Sequence, residues 1–429
     1  MLSKIIKKGE KFGNVEAAVA DANEATLVYD NNSIKNMVEG SQAILAIRVS
    51  DGRRFGYSTT SNLEKWEKCL NSAVKIMHVS RPLKEEFEIA RKSKFQNSKG
   101  IYSKEIEKLS AEKLVSIGDK MVHTALGLNK KLLVPNASIS KLTSNYQFMN
   151  SNGINVRWKN TIFSASLQAV SGISSGSESR ISHQLVDEKA VGKIAAQMCI
   201  DGLNPKPVKT EKVDLILDYF AFSSLIMSIL VPSLQGNNVL NKKSYLQDKL
   251  GKKVFSEKFS VFDDGTMPNG LFSSAVDAEG VSRQKTILIE NGVVKNFLYD
   301  LYSAKLAKMR STGNCMSIEK MPNVGPSNFI VCKGDYKKDE IIKDTKEGIY
   351  TYFLAGAHVV NETTGDVSVG IENAFYVKNG SIEHPVRQAL VSFNLFEALK
   401  NLQVIGKEVR QESEVACPTV KFSNVQVIS

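Results

Sequence analysis

Histidine and cysteine are scarce in this chain of 429 residues, and their spacing is uninformative about metal. The five histidines (His78, His123, His183, His358, His384) are never within a helical turn of one another, and none lies between 183 and 358. The five cysteines (Cys69, Cys199, Cys315, Cys332, Cys417) never form a C-x-x-C pair. That excludes a zinc ribbon or a disulfide framework and suits free thiols in a reducing compartment. No apolar run approaches the roughly 18 residues that would span a bilayer, and the start, MLSKIIKKGEKFG, has no apolar core of a signal peptide. The expected location is the cytoplasm. Phosphate-cradling loops of the G-x-x-x-x-G-K-[ST] and G-x-G-x-x-G types are absent, as are G-x-S-x-G and an EF-hand spacing.

What is present is an ordinary apolar content of 42%, a charged content of 24% and a formal charge of +11. The length suits two or three domains. The lysines are mixed with acids, as in KKDEIIKDTKEG (337–348), and only NKKSYLQDKLGKK (241–253) is densely basic. This reads as a solvated lysine-rich surface, with a polyanion footprint as the alternative.

Turn signals recur between strand-like runs: LVYDNNSIKNMV, LAIRVSDGRRFGYS, NSNGINVRW, TILIENGVVKNFLYD and AFYVKNGSIEHPV. Asn-Asn, Asp-Gly and Asn-Gly accept the positive φ of type I′ turns, so antiparallel hairpins form the main scaffold. Helices interrupt them. Ser61 and Glu64 stand in capping-box spacing before a face of Leu63, Trp66, Leu70, Ala73, Val74 and Met77. Ser110 and Asp187 cap two further helices, which carry His123 and Cys199 in expected packing roles. GLNPKPVKTEK (202–212) reads as a linker. The expectation is an α+β protein with an amino-terminal part at 1–205, including a central segment at about 105–205, and a carboxy-terminal domain at 206–429. No fixed-period repeat is visible in the sequence.

VFDDGTMPNG (261–270) places two carboxylates together. As cation ligands, Asp263 and Asp264 lack nearby oxygen partners, and as strand neighbours they point to opposite faces. As a turn device they bond their own backbone while Gly265 and Gly270 supply unusual φ, which is the expected role.

The stretch from 259 to 314 resembles the signature of the TldD/PmbA family. Its elements stand in order: Asp263-Asp264-Gly265-Thr266, Asp277 with Glu279 and Gly280, the hairpin ending Asn291-Gly292, Asp300 with Ala304, and Thr312-Gly313-Asn314. PNVGPSNFIV (322–331), TTGDVSVGIENAFYVKNGSIEHPV (363–386) and NLFEALKNLQVIGKEV (394–409) match further. The resemblance implies a two-part α+β protomer that encloses a cavity with a sister subunit. One subunit, TldD, is a zinc-dependent peptidase of unfolded or short peptides; the other, TldE (PmbA), lacks the metal. In the peptidase, HExxxH lies on a helix just before the Asp-Asp-Gly-Thr segment, with a late cysteine as a further ligand.

Anchored on Gly236, Leu250-Gly251 and Asp263-Asp264, the HExxxH position falls on Met227-Ser228-Ile229-Leu230-Val231-Pro232. Met227 replaces the first histidine, Ser228 the glutamate and Pro232 the second histidine. The surrounding apolar run suits a buried helix that Pro232 would kink or end. The expectation is a TldE-type subunit with no catalytic or metal-binding residue and no cofactor of its own, with zinc held by a TldD-like partner in a heterodimer or, alternatively, a homodimer. Signature residues would then be structural. Two other readings stay open: a non-standard metal site around His358, with Glu362 and Asp366 near it and Cys417 late in the chain, or a nucleic-acid or gyrase-associated binding protein.

Overall fold

In the computed structural model, which describes residues 1–319 and 323–429, all five turn signals close hairpins. Pro322, the first residue of the PNVGPSNFIV stretch, lies outside the described residues. Asn31 and Asn32 both take positive φ (49° and 70°), as do Asn291-Gly292 (49° and 77°) and Asn379-Gly380 (49° and 79°). Such turns match the right-handed twist of the strands they join. A sixth hairpin at Gly172-Ile173 carried no such dipeptide.

The first half runs α1 (Leu2–Gly9), β1 (Asn14–Asp30), β2 (Ser33–Ser50), β3 (Phe55–Thr60), α2 (Trp66–Val79), α3 (Lys104–Glu107), α4 (Ala111–Leu128), β4 (Leu133–Asn150), β5 (Asn155–Ser171), β6 (Ser174–Ser182) and α5 (Glu188–Asp201). The six strands make one antiparallel sheet in the order β3-β2-β1-β4-β5-β6. Three strands flanked by helices therefore occur twice, joined at the centre by β1 and β4. Odd-numbered residues of β1 bury against helices, Val15 and Ala17 with α1 and α2, and Ala25, Leu27 and Tyr29 with α4 and α5. Even-numbered residues Glu16, Ala18 and Ala20 turn to the other face.

Helix caps fell close to expectation. The side chains of Ser110 and Asp187 accept from Lys113 N and Ala190 N, at 3.3 and 3.1 Å. On α2 the cap moves one residue: Asn62, not Ser61, accepts from Glu64 N, and a 3-10 turn precedes the helix. His123 sits on the exposed side of α4, its ring nitrogen 2.7 Å from Asp119 O, so it does not pack, whereas Cys199 is buried.

The second half adds β7 (Lys212–Leu217), α6 (Tyr219–Leu225), a π turn (Ile226–Leu230), α7 (Val231–Leu234), α8 (Gly236–Leu240), β8 (Val261–Asp264), β9 (Lys285–Glu290), β10 (Val293–Val294), α9 (Leu301–Ala307), β11 (Phe329–Val331), α10 (Lys338–Lys343), β12 (Glu347–Ala355), β13 (Asp366–Lys378), β14 (Ser381–Pro385), β15 (Leu390–Asn394), α11 (Leu395–Lys400), β16 (Val404–Gln411) and β17 (Val415–Ile428). Its sheet runs β10-β9-β8-β11-β17-β15-β13-β12-β7, and β7 pairs back onto β17. Strands β17, β15, β13, β12 and β7 thus close a ring. Leu215 and Leu217 of β7 join the large core that takes in α6 and the π turn, while Ile216 points to a smaller cluster with Ile341, Tyr350 and Phe375. This alternation is what a strand covered on both faces requires. No helix of the described residues is long and apolar enough to cross a membrane.

Candidate functional site

The segment at 226–232 sits on a helical run that follows β7. Phe222 packs edge-on against Phe422 of β17, with centroids 6.0 Å apart. Leu225, Ile226, Ile229, Leu230 and Leu234 have no exposed surface. Pro232 neither kinks the run to a stop nor removes a bond from a regular α-helix. The turn before it is widened to a π turn, closed by Val231 N donating to Ile226 O, and α7 continues to Leu234. Met227, Ser228 and Pro232 are half-buried. Their thioether, hydroxyl and pyrrolidine ring offer neither imidazole nor carboxylate, and this set does not fit a zinc ion, which takes Cys, His and Asp/Glu ligands.

His358 and Cys417 lie in unlike surroundings. His358 is exposed on a short 3-10 turn, Ala357–Val359, and Glu362 is exposed as well. Asp366 accepts from Asn394 and Thr364, and these bonds hold its carboxyl below the ordinary range. Cys417 is fully buried on β17 opposite Arg410, where burial pushes its thiol well up and away from the thiolate that binds metal. Among the described residues no three His, Cys, Asp or Glu side chains form a group that could hold a metal ion.

The signature residues engage one another and the first half of the chain. Asp263 is buried and accepts from Ser327 N (2.7 Å), Ser327 Oγ (2.6 Å) and Asn314 Nδ2 (2.8 Å). Asp264 faces the other way and accepts from Thr266 N (2.9 Å) and Thr266 Oγ1 (2.6 Å), an Asx turn. Gly265 and Gly270 do not take positive φ; the left-handed residue is Asn269, at 58°. The two glycines are needed for close approach instead, since a Cβ would stand 2.6 Å from Arg283 Cδ or Ser273 Oγ. Asp277 accepts from Glu279 N, Val281 N and Cys315 N. Asp300 caps α9 through Ser303, and Thr312 Oγ1 accepts from Tyr299 N at 2.8 Å. Gly313, like Gly280 and Gly292, adopts positive φ.

Glu279 carries the signature turn into the first sheet. The Arg48 guanidinium donates to Glu16 at 2.5 Å and to Glu279 at 3.0 Å, and all three side chains are buried. The rings of Phe55 and Phe87 each lie 5.2 Å from the Arg48 guanidinium carbon. Glu279 also accepts from Leu301 N at 2.9 Å. Burial pushes the Glu279 carboxyl up to about 8, against the pull of Arg48 and with help from Asp300 and Asp277. Asp277 is pushed up to about 6 by burial, opposed by Arg283. Arg48 and Glu16 were not legible in the sequence: Arg48 reaches Glu279 across 231 positions and Glu16 across 32.

Two more constellations were not legible. Arg410 donates to Glu178 of β6 (2.5 Å), to Glu412 and to the Tyr219 hydroxyl, with its guanidinium 4.6 Å from the Tyr219 ring. Beside it, the Tyr350 hydroxyl donates to buried Asp218 at 2.5 Å. Between the halves lies a cleft of about 290 Å³, floored by β1, β2, β4 and β5 and roofed by residues 274–278 and 315–319, with Arg283 at its side.

A double αβββα sheet layer is docked through an Asp-Asp-Gly-Thr/Asp-x-Glu-Gly turn onto a strand ring, and this chain belongs to the PmbA/TldD family of metallopeptidase-related proteins. Its residues 15–77, 104–203 and 210–429 match the family models for PmbA/TldA metallopeptidase domain 1, the central domain and the C-terminal domain. It is 30% identical over 423 residues, 98% of each chain, to an uncharacterized protein of Methanocaldococcus jannaschii. It is 22% identical over 440 residues to the metalloprotease PmbA of Escherichia coli O157:H7, covering 97% of this chain and 92% of that one. Among solved structures, TldE from Thermococcus kodakarensis superposes with a TM-score of 0.93 at 25% identity over the whole of both chains.

Proposed function

We propose that this chain is the TldE-type subunit of a cytoplasmic metallopeptidase complex acting on unfolded or short peptides, and that it binds no zinc itself. A TldD-like partner carries the HExxxH zinc site, and this chain completes the wall of the shared peptide cavity.

The observation that carries the reading is the π turn at Ile226–Leu230. The two histidines of HExxxH are five positions apart. On an α-helix five residues advance about 500°, which leaves the two side chains about 140° apart. An i→i+5 turn brings them toward one face, and π turns are frequent at functional sites. Here that geometry frames Met227 and Pro232, which supply no ligand for it. A helix with the backbone of a metal site and apolar side chains in its place supports descent from a peptidase whose chemistry moved wholly to a partner. Burying two imidazoles and a glutamate without their metal would be costly, which explains why apolar or small side chains replace them.

The test is co-expression with an HExxxH-bearing family member from the same source. The two chains are expected to co-elute, and peptide hydrolysis is expected only when both are present and the partner's HExxxH glutamate is intact. Peptide hydrolysis by this chain alone, or failure to associate with any such chain, would overturn the reading.

A further inference from the structure

The floor of the inter-half cleft is built by strand register. One cross-strand row reads Ile44, Ala20, Tyr146, Trp158, and the next reads Ala46, Ala18, Phe148, Val156. Alanine at three of these positions leaves a trough, and Tyr146 and Trp158 stand as a stacked wall beside it, with centroids 5.1 Å apart and planes 10° apart. The roof from the second half is Val276, Ala278, Met316 and Ile318. At one side Arg283 donates to Ser274 Oγ (3.3 Å) and Gly313 O (2.6 Å), which leaves Nη2 with no acceptor among the described residues. Among the described residues no carboxylate oxygen forms an ion pair with Arg283 at 4 Å or less, although its charge reaches the buried Asp277 and Asp263. Asp277 also lines the cleft, but three backbone amides occupy its oxygens. Glu319 is exposed at the rim.

We infer that this cleft binds the carboxy-terminal residue of a short peptide, with its apolar or aromatic side chain in the alanine trough against Tyr146 and Trp158 and its terminal carboxylate on Arg283. The cleft is largely apolar, with the Arg283 Nη2 placed to orient a ligand, the usual composition of a small-molecule site. Its volume suits a single large side chain with the adjoining carboxylate rather than a folded segment. A planar side chain on the aromatic wall gains stacking beyond its buried area, and a guanidinium is suited to bidentate recognition of a carboxylate. The choice of a peptide as ligand rests on the peptidase-subunit reading above. The site shares no residue with Met227, Ser228 or Pro232, and its binding is a property of this chain alone.

Acetyl-Gly-Phe and its carboxy-terminal amide, titrated into the full chain by calorimetry and ligand-observed NMR, test the inference. The free acid is expected to bind at least tenfold more tightly than the amide. Arg283→Gln should bring the acid down to the level of the amide, and Ala20→Phe, which fills the trough, should abolish binding of both. Trp158→Ala tests the same wall by removal if Ala20→Phe fails to fold. No binding of the acid to the natural chain, or equal binding of acid and amide, would overturn the inference. Acid-selective binding by this chain, combined with its failure to associate with any HExxxH-bearing chain, would leave the inference standing while removing the subunit reading.

Discussion

Arg48 is the point at which a single cation serves two buried carboxylates from opposite halves of the chain. Removing such a cation would leave the buried Glu16 and Glu279 carboxyls without the donor they share, a costly loss for buried polar groups. Because burial raises the folded-state value of Glu279 from the ordinary 4.5 to about 8, folding takes up a proton between these values. The contribution of this group is therefore full below the unfolded value and is lost as pH rises toward about 8, the reverse of a carboxylate held low by an ion pair. Asp277, raised to about 6, adds to the decline at the lower end of that window. Stability, measured as the urea midpoint, is expected to fall between about pH 4.5 and 8. Glu279→Gln should flatten that fall, by at most about 1.4 kcal/mol per pH unit. Identical pH slopes in the two proteins would contradict it.

Among elements, the doubled αβββα layer depends on two glycines in equivalent places. Gly56 on β3 and Gly176 on β6 lie directly beneath α2 and α5, and a Cβ there would stand 1.8 Å from Ala73 O and 2.3 Å from Ala195 O. Since backbone rather than a mobile side chain is in the way, the helix must lift. Gly56→Ala and Gly176→Ala are each expected to cost about 3 kcal/mol or more, read as a lowered urea midpoint; a loss under about 0.5 kcal/mol would mean that the helices do not sit where described.

The hairpins and caps were legible because each is a local bargain between a residue and its own backbone: Asn31-Asn32, Asn291-Gly292, Ser110 and Asp187 declare themselves within four positions. The duplication was not, because β1 and β4 share a place in the sheet rather than a sequence pattern. The cleft was not either, since its floor is assembled from alanines and aromatics on four strands, and an alanine becomes informative only when its cross-strand neighbours are known. The same holds for Arg48 and Glu279. Gly265 and Gly270 were read as φ devices because glycine in a turn usually is one; here tertiary crowding from Arg283, Ser273 and Asn328 demands them instead.

At the scale of the whole molecule, the family's metal is the issue on which the account turns. The signature segment is intact and bonded to itself and to the first sheet, so the protomer keeps its family architecture. The helical run at 226–234 contains a π turn at Ile226–Leu230, where Met227, Ser228 and Pro232 offer no imidazole or carboxylate, and among the described residues His358 and Cys417 join no group that could hold a metal ion. The measurement that bears most directly on this is the zinc content of the chain, expressed and purified alone, by elemental mass spectrometry against protein concentration. A value near zero per chain is expected. About one zinc per chain, surviving gel filtration and mild chelation, would contradict it and would move the search for a site to His358 and Cys417.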